Sequence, residues 1–411
     1  MTSAVIHTAS AGLVTAALLV CAASPAIAQT AAPVSSAPAD PAPEPVPDKT
    51  EPPQSQVTIV NAEPEGFRIG GFTFRVGGRV KLDIIRDFDP IGSEDSFDPR
   101  TIPVDGSEGG NSQLHARETR LFLDARSQVE GKELKLFVES DFYGSGNALR
   151  LRHAYGSYGG LLAGQTWSTF VDDNNFPNTL DFESPMAFPS IRQAQLRWTA
   201  KLGTAVSWAA AVEDNKSSIE PPAGVAGKAE YSMPDLVTRI RFEGSRGHAF
   251  ASAFLGRARF RPDVGEPDNE ALWGMLLSGK FKPFGKDSAY GQLTFGEGVG
   301  RYRGALTAVP DANGQLHAPG LVALMGGYEH YWDARVSSNA VISRASSDEK
   351  DFYAPEANKL LDYAAVNLLY WFLKDRAWVG VEYLHGRREV FDERTGSANR
   401  LHFAVRFNFP S

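Results

Sequence analysis

Basic side chains recur at every second residue in several stretches of this chain. Arg150 and Arg152 stand two apart in "LRLRHAY", Arg239 and Arg241 in "LVTRIRF", and Arg75, Arg79 and Lys81 share one parity in "FRVGGRVKL". In a β-strand, residues i and i+2 project to the same face, so each stretch would present its cations together. Arg120, Arg126, Lys135, Arg197 and Arg406 fall on equivalent faces, against fewer acids: Asp83, Glu118, Asp124, Glu139, Asp141, Glu243 and Glu382. A guanidinium grips a carboxylate through two parallel hydrogen bonds, and a row of guanidiniums concentrates small anions and hands them along. The competing reading is that base and acid pair and only brace a wall. The surplus of base favours recognition of organic anions.

Bond-making chemistry finds no support. His115, His153, His248, His317, His330, His385 and His402 are scattered without metal or triad spacing. "DGSEGGN" and "DANG" are fragments of calcium loops without the full ligand set. No catalytic residue, metal site or cofactor is expected. The net charge of −8, with no basic tract, gives no reason to expect nucleic acid as a partner.

Strands must position these cations. From Phe72 onward the hydrophobic period is two. Phe72, Phe74, Val76, Val80, Leu82 and Ile84 oppose Arg75, Arg79, Lys81 and Asp83, and Leu134, Leu136 and Val138 oppose Lys135, Glu139 and Asp141. Leu236, Ile240 and Phe242 oppose Arg239, Arg241 and Glu243, and Leu401, Phe403, Val405, Phe407 and Phe409 oppose Arg400, His402, Arg406 and Asn408. The alternation slips between Leu114 and Arg117 and between Leu361 and Asn367. Short turns such as "VEGKE", "YGG", "KLG", "SRG", "FGKD" and "LKDR" alternate with long links. These include "FDPIGSEDSFDPRTIPVDGSEGGNS", "VDDNNFPNTLDFESPMAFPS", "NKSSIEPPAGVAGKAEYSM" and "RREVFDERTGSA", with "GSGNA" as a short exception. A sandwich with crossing connections has no reason to alternate in this way.

The pattern predicts an all-β fold, a transmembrane antiparallel up-and-down β-barrel of sixteen strands with a wet interior. Leu149, Leu151 and Tyr155 would then face lipid or a neighbouring subunit, with Arg150 and Arg152 in the lumen. Tyr158, Trp198, Tyr331, Trp332, Tyr370, Trp371 and Trp378 would form interfacial girdles. The pore wall would comprise Arg75, Arg79, Lys81, Arg120, Lys135, Arg150, Arg152, Arg197, Arg239 and Arg241.

Ahead of the strands, "AGLVTAALLVCAASPAIA" has the layout of a signal peptide over residues 1–28, and Cys21, the single cysteine, would leave with it. Residues 29–62 are rich in Pro and Ala and cannot bury a core, as expected of an extended periplasmic linker in reach of the cell wall. Residues 63–411 would be the barrel domain. The expected site is the outer membrane of a Gram-negative bacterium, among lipid and lipopolysaccharide. A barrel with a purely structural or adhesive role, or one with a hydrolase at its rim, is the alternative to a channel.

"ESDFYGSGNALRLRHAYGSYGGLLAGQTWSTFVDDNNFPNTLDF", followed by "RQAQLRWT", resembles the core signature of the DcaP-like outer-membrane porins. "GGYEHYW" and the stretch from "GVEYLHGRREVF" to "NRLHFAVRFNF" are similar to later family segments. The resemblance implies a sixteen-stranded homotrimeric channel for dicarboxylates and similar organic anions. It also implies that the link after the fifth strand folds inward and constricts the pore, bringing Asp172, Asp173, Asp181 and Glu183 across from the wall arginines. Two features depart from the family: the Pro-rich stretch cannot form a coiled coil, and the chain ends Phe409-Pro410-Ser411.

Overall fold

The alternating stretches fold as the strands their period requires. The computed structural model describes residues 66–409, apart from 216–217, 220, 222–224, 231–232, 304–306 and 349–352. The expected signal peptide, the Pro-rich linker and the Pro410-Ser411 ending therefore lie outside the described residues. The wall begins with β1 (Phe72–Asp87), β2 (Arg120–Val129), β3 (Lys132–Asp141) and β4 (Arg150–Tyr158). It continues with β5 (Leu161–Trp167), β6 (Arg192–Lys201), β7 (Val206–Glu213) and β8 (Asp235–Gly244). Next come β9 (Gly247–Pro262), β10 (Asp268–Phe281), β11 (Ser288–Glu297) and β12 (Gly320–Tyr331). The last four are β13 (Val336–Ser347), β14 (Asn358–Leu373), β15 (Ala377–Val390) and β16 (Thr395–Phe409).

Each strand pairs antiparallel with the next, and β16 returns to β1 with Arg79 opposite Asn408, so sixteen strands close a barrel. Three short strands, Phe67–Ile69, Ser112–His115 and Gly227–Ala229, extend the ladder at its rims. One rim carries the tight turns. At the β4–β5 turn Gly159 and Gly160 both take positive φ, and a Cβ on Gly160 would meet the Thr199 carbonyl at 2.7 Å. The other rim carries the long links at 88–119, 168–191, 214–234 and 298–319. The link expected in "RREVFDERTGSA" is instead only 391–394, because β15 runs on to Val390 and β16 begins at Thr395.

Outward-facing side chains match the expected apolar set, with one change of phase. At the β3–β4 register shift Glu139 faces His153 while Ser140 faces Leu151, so Arg152 is an extra residue in β4. Such a bulge turns both Arg152 and His153 inward and reverses the alternation beyond it. Tyr155 therefore lies on the inner face, its ring 5.6 Å from that of Phe137, and does not face lipid. Trp378 is also not a girdle residue: it is buried inside with Leu180, Leu369 and Ala404, and Trp371 packs against that cluster.

The interior is not uniformly wet. Along β9–β15 the inner face is largely apolar, with Phe254, Leu276, Met325, Val341, Tyr363 and Leu384 all buried. These side chains pack against Phe97 and Ile102 of the link at 88–119, Phe170, Met186 and Phe188 of the link at 168–191, and Tyr302 of the link at 298–319. Each fully buried large apolar side chain contributes roughly 1.5–3 kcal/mol, which is enough collectively to hold the links inside. The slipped alternation between Leu361 and Asn367 has the same cause, since links cover the inner face of β14 at Leu361, Tyr363 and Ala365.

Side-chain orientation is open to test. Leu136 and Ile240 are exposed on the outer wall, whereas Arg239 lies on the inner face. Leu136→Arg or Ile240→Arg should destabilise the membrane-inserted barrel by about 2–4 kcal/mol near the bilayer midplane. Arg239→Leu should leave folding intact. Denaturant unfolding in lipid vesicles distinguishes the two, and equal defects would contradict the assignment of faces.

Candidate functional site

Because the long links pack on β9–β15, open space inside the barrel runs along the charged half of the wall. Here the inner faces of β1–β6 and β8 carry the cations expected from the sequence. Most of them are paired. Arg75 donates to Asp124 at 3.1 Å, with Lys135 3.9 Å from the same carboxylate. Arg79 binds Glu118 at 2.6 Å, Lys81 binds both Glu118 and Asp83, and Arg120 approaches Glu118 at 3.6 Å. Arg150 and Arg152 share Asp141, at 2.7 and 3.0 Å, and Arg152 also donates to Glu139 at 2.7 Å. The two therefore form one neutralised cluster with Asp141 and Glu139 rather than two free steps of a ladder.

Arg197 and Arg239 differ: among the described residues neither has a carboxylate within 4.0 Å. They flank β7, where Arg197 is opposite Ala211 and Arg239 opposite Ala209. Neither alanine offers these guanidiniums a polar partner. Among the described residues Arg192 and Arg406 are likewise without an ion-pair partner. Arg192 lies 4.5 Å from the Trp167 ring, and Arg406 lies 5.0 Å from the ring of Trp378. Alternation alone did not single out Arg192, which enters the site at the loop end of β6.

The link at 168–191 crosses the interior as a strap, and its acids are its fasteners. Asp172 is fully buried and accepts from Arg241 at 2.7 Å and Ser278 at 2.7 Å, with His248 Nε2 at 2.8 Å. Burial pushes its carboxyl up, but the bonds from His248 and Ser278 and the Arg241 charge outweigh that and hold it below the usual range. This tether is present above the ordinary aspartate pKa of about 4 and is lost as pH falls through the lowered value. At the far end Asp181 accepts from the Phe97 N–H at 2.9 Å and from Arg400 at 3.2 Å, while Arg400 also grips Asp87 at 2.6 Å. Glu382 accepts the Leu180 and Asp181 N–H groups at 2.9 and 2.8 Å, and Glu183 pairs with Arg303. Asp172, Asp181 and Glu183 are thus each engaged in an ion pair with an arginine. Asp173 alone keeps substantial exposure, at 43%, while 3.0 Å from Arg241.

Between strap and wall lies a cavity of about 570 Å³. Arg120, Arg150, Arg152 and Arg192 line it from the wall, and Arg100 and Arg303 from the links, against four carboxylates. Arg100, Arg303 and Arg400 belong to this electrostatic framework, yet their distance in sequence from the strap hid that role.

A family profile described as "DcaP outer membrane protein" matches residues 70–409. Among solved structures, the outer membrane channel DcaP of Acinetobacter baumannii superposes with a TM-score of 0.75 at 24% identity, covering 84% of this chain and 99% of that one. An anion-selective porin from Comamonas acidovorans gives a TM-score of 0.59 at 10% identity over 82% of this chain and 100% of that one. A loop-deletion form of OmpT of Vibrio cholerae gives 0.54 at 13% identity, covering 83% and 100%. Among curated proteins the sequence has no significant match.

The strap makes a direct prediction. Asp181→Ala removes an acceptor shared by Phe97 and Arg400 at a buried site. Breaking a buried pair of this kind costs about 3–5 kcal/mol. Denaturant melts should show that loss. Single-channel records should show larger, noisier openings as the strap swings free. Quiet, unchanged conductance would mean that the apolar contacts alone hold it.

Proposed function

The chain belongs to the DcaP outer membrane protein family, and from that premise we propose that it is an outer-membrane channel for small hydrophilic solutes, preferring anions and dicarboxylates among them. The observation that carries the preference is a group of inward guanidiniums with no ion-pair partner among the described residues, Arg192, Arg197, Arg239 and Arg406. Tight-turn ends face the periplasm in such barrels, so Arg192 stands toward the outside and Arg197 about five residues, or roughly 17 Å, deeper. A carboxylate entering beside the strap would meet Arg192 first and then the Arg197–Arg239 gap. Two guanidiniums flanking an alanine strand suit a solute with a carboxylate at each end. No bond is made or broken in this reading; the protein acts by letting solutes through.

The strap is proposed to set the narrowest passage, with Asp173 as its exposed charge. A trimer is proposed to form through β1–β3, which present Val76, Val80, Leu82, Leu123, Leu136 and Val138 as exposed outward aliphatics. Chemical cross-linking of detergent-extracted protein should then trap three copies, and Leu123→Arg should reduce them to one.

Planar-bilayer reversal potentials under a salt gradient test the preference. Wild type should favour anions, and succinate should block it transiently. Arg197→Ala with Arg239→Ala should weaken that block by about tenfold, as expected for loss of a charge-assisted contact, without destabilising the barrel. Arg150→Ala with Arg152→Ala should also shift selectivity, but with a fall in stability, because Asp141 would be buried without a cation. Neutral sugars should pass unaffected in both. A cation-selective wild type would overturn the proposal, and unchanged block in the first double variant would move the anion site off β6 and β8.

A further inference from the structure

The outer wall carries a second feature that solute passage does not use. On the side away from β1–β3, a groove of about 710 Å³ crosses β5–β10. Its floor is small, with Ala210, Thr238 and Ala253 in adjacent strands, and Trp198, Trp208 and Trp273 rise around it. The lining is almost wholly apolar, and the Trp208 N–H is satisfied by Thr238 Oγ1 at 3.0 Å. Trp198, Trp208 and Trp273 together mark this side as facing lipid.

Basic residues stand directly above the groove. On the outer face of β9, Ala253 and Leu255 line the groove, and Arg257, Arg259 and Arg261 continue the same row toward the long-link rim. Arg259 and Arg261 share Glu230 at 2.8 and 2.6 Å, and Glu266 is near Arg261. Arg257 is exposed and has no ion-pair partner among the described residues. It sits one register step above the Leu255–Trp273 pair, opposite Ala271, which is too small to cover it. Trp273 donates to Glu297 at 3.1 Å, as an indole does at the level of the headgroups.

We propose that this groove seats a phosphorylated glycolipid of the outer leaflet, with an acyl chain over Ala210, Thr238 and Ala253 and a phosphate on Arg257. An apolar trough capped by an unpaired guanidinium complements a molecule with acyl chains and an anionic head. A second copy of the chain would bring neither. The inference rests on the outer-membrane location and is independent of which solutes the pore prefers.

The test is native mass spectrometry of the purified full-length chain in detergent with added lipid A, dephosphorylated lipid A or phosphatidylethanolamine. Wild type should retain lipid A best. Arg257→Ala should lower its retention by about tenfold. Ala253→Phe, which fills the trough, should lower retention of lipid A as well, and a normal heat-shifted band on gels reports that both variants fold. Conductance of Arg257→Ala should equal that of wild type. Equal retention of lipid A by wild type and Arg257→Ala would overturn the proposal, as would equal retention of the phosphorylated and dephosphorylated forms. Disulfide dimers of Ala253→Cys would do so too, by showing a second copy in the groove. If wild type conducts nothing yet holds lipid A through Arg257, the channel reading fails and the lipid seat stands.

Discussion

Closure of the backbone ladder between β16 and β1 is the constraint from which the rest follows. In hydrocarbon an unpaired N–H or C=O costs several kcal/mol, so a sheet that enters a membrane must leave no edge. A closed sheet has an inside, and with sixteen strands that inside is too wide for wall side chains to fill. Something else must occupy part of it. Here the long links do, and they are drawn in mainly by apolar contact on one half of the wall. The barrel is therefore asymmetric: β9–β15 form a packed bed for the links, and β1–β6 with β8 border the remaining space.

This asymmetry explains the charge pattern. Where the strap must be fixed, carboxylates and cations are buried together, as at Arg400 with Asp87 and Asp181, and at Arg241 with Asp172. Buried pairs of this kind add little net stability relative to apolar packing, but breaking one partner is costly, so they specify a position rather than strengthen the fold. The strap also uses neutral geometry, with Glu382 taking two consecutive N–H groups at its turn. Pairing accounts for most of the wall cations and leaves a small remainder that can interact with a solute.

The fold was legible in the sequence because a strand exposed to lipid on one side and water on the other writes its two environments in alternate residues. Arg75, Arg79, Lys81, Lys135, Arg239 and Arg241 could be placed on the inner face by that rule alone. It failed where the two environments become alike. Leu361, Tyr363 and Ala365 are apolar on an inner face because links cover them, and Trp378 turns inward for the same reason. It failed also beyond Arg152, where one inserted residue reverses the phase and carries Tyr155 inside. Pairing was the least legible feature. Arg150 and Arg197 look alike in sequence, and only the register that brings Asp141 beside one and alanines beside the other separates them.

The packed half of the barrel also bears on how few free cations a selective passage needs. A charge in a wide, water-filled tube is screened within roughly 8–10 Å at moderate salt, so a handful of arginines on one wall would act on only part of the cross-section. Filling the opposite half with Phe170, Met186, Phe188 and Tyr302 removes that water. On the proposed reading a solute would be confined to the charged side, within reach of the wall, with the apolar bed behind it lowering the local dielectric. Both effects strengthen each remaining guanidinium. The same apolar contacts that hold the strap in place thus give weight to Arg192, Arg197 and Arg239, and the packing and the electrostatics of the interior are parts of one arrangement.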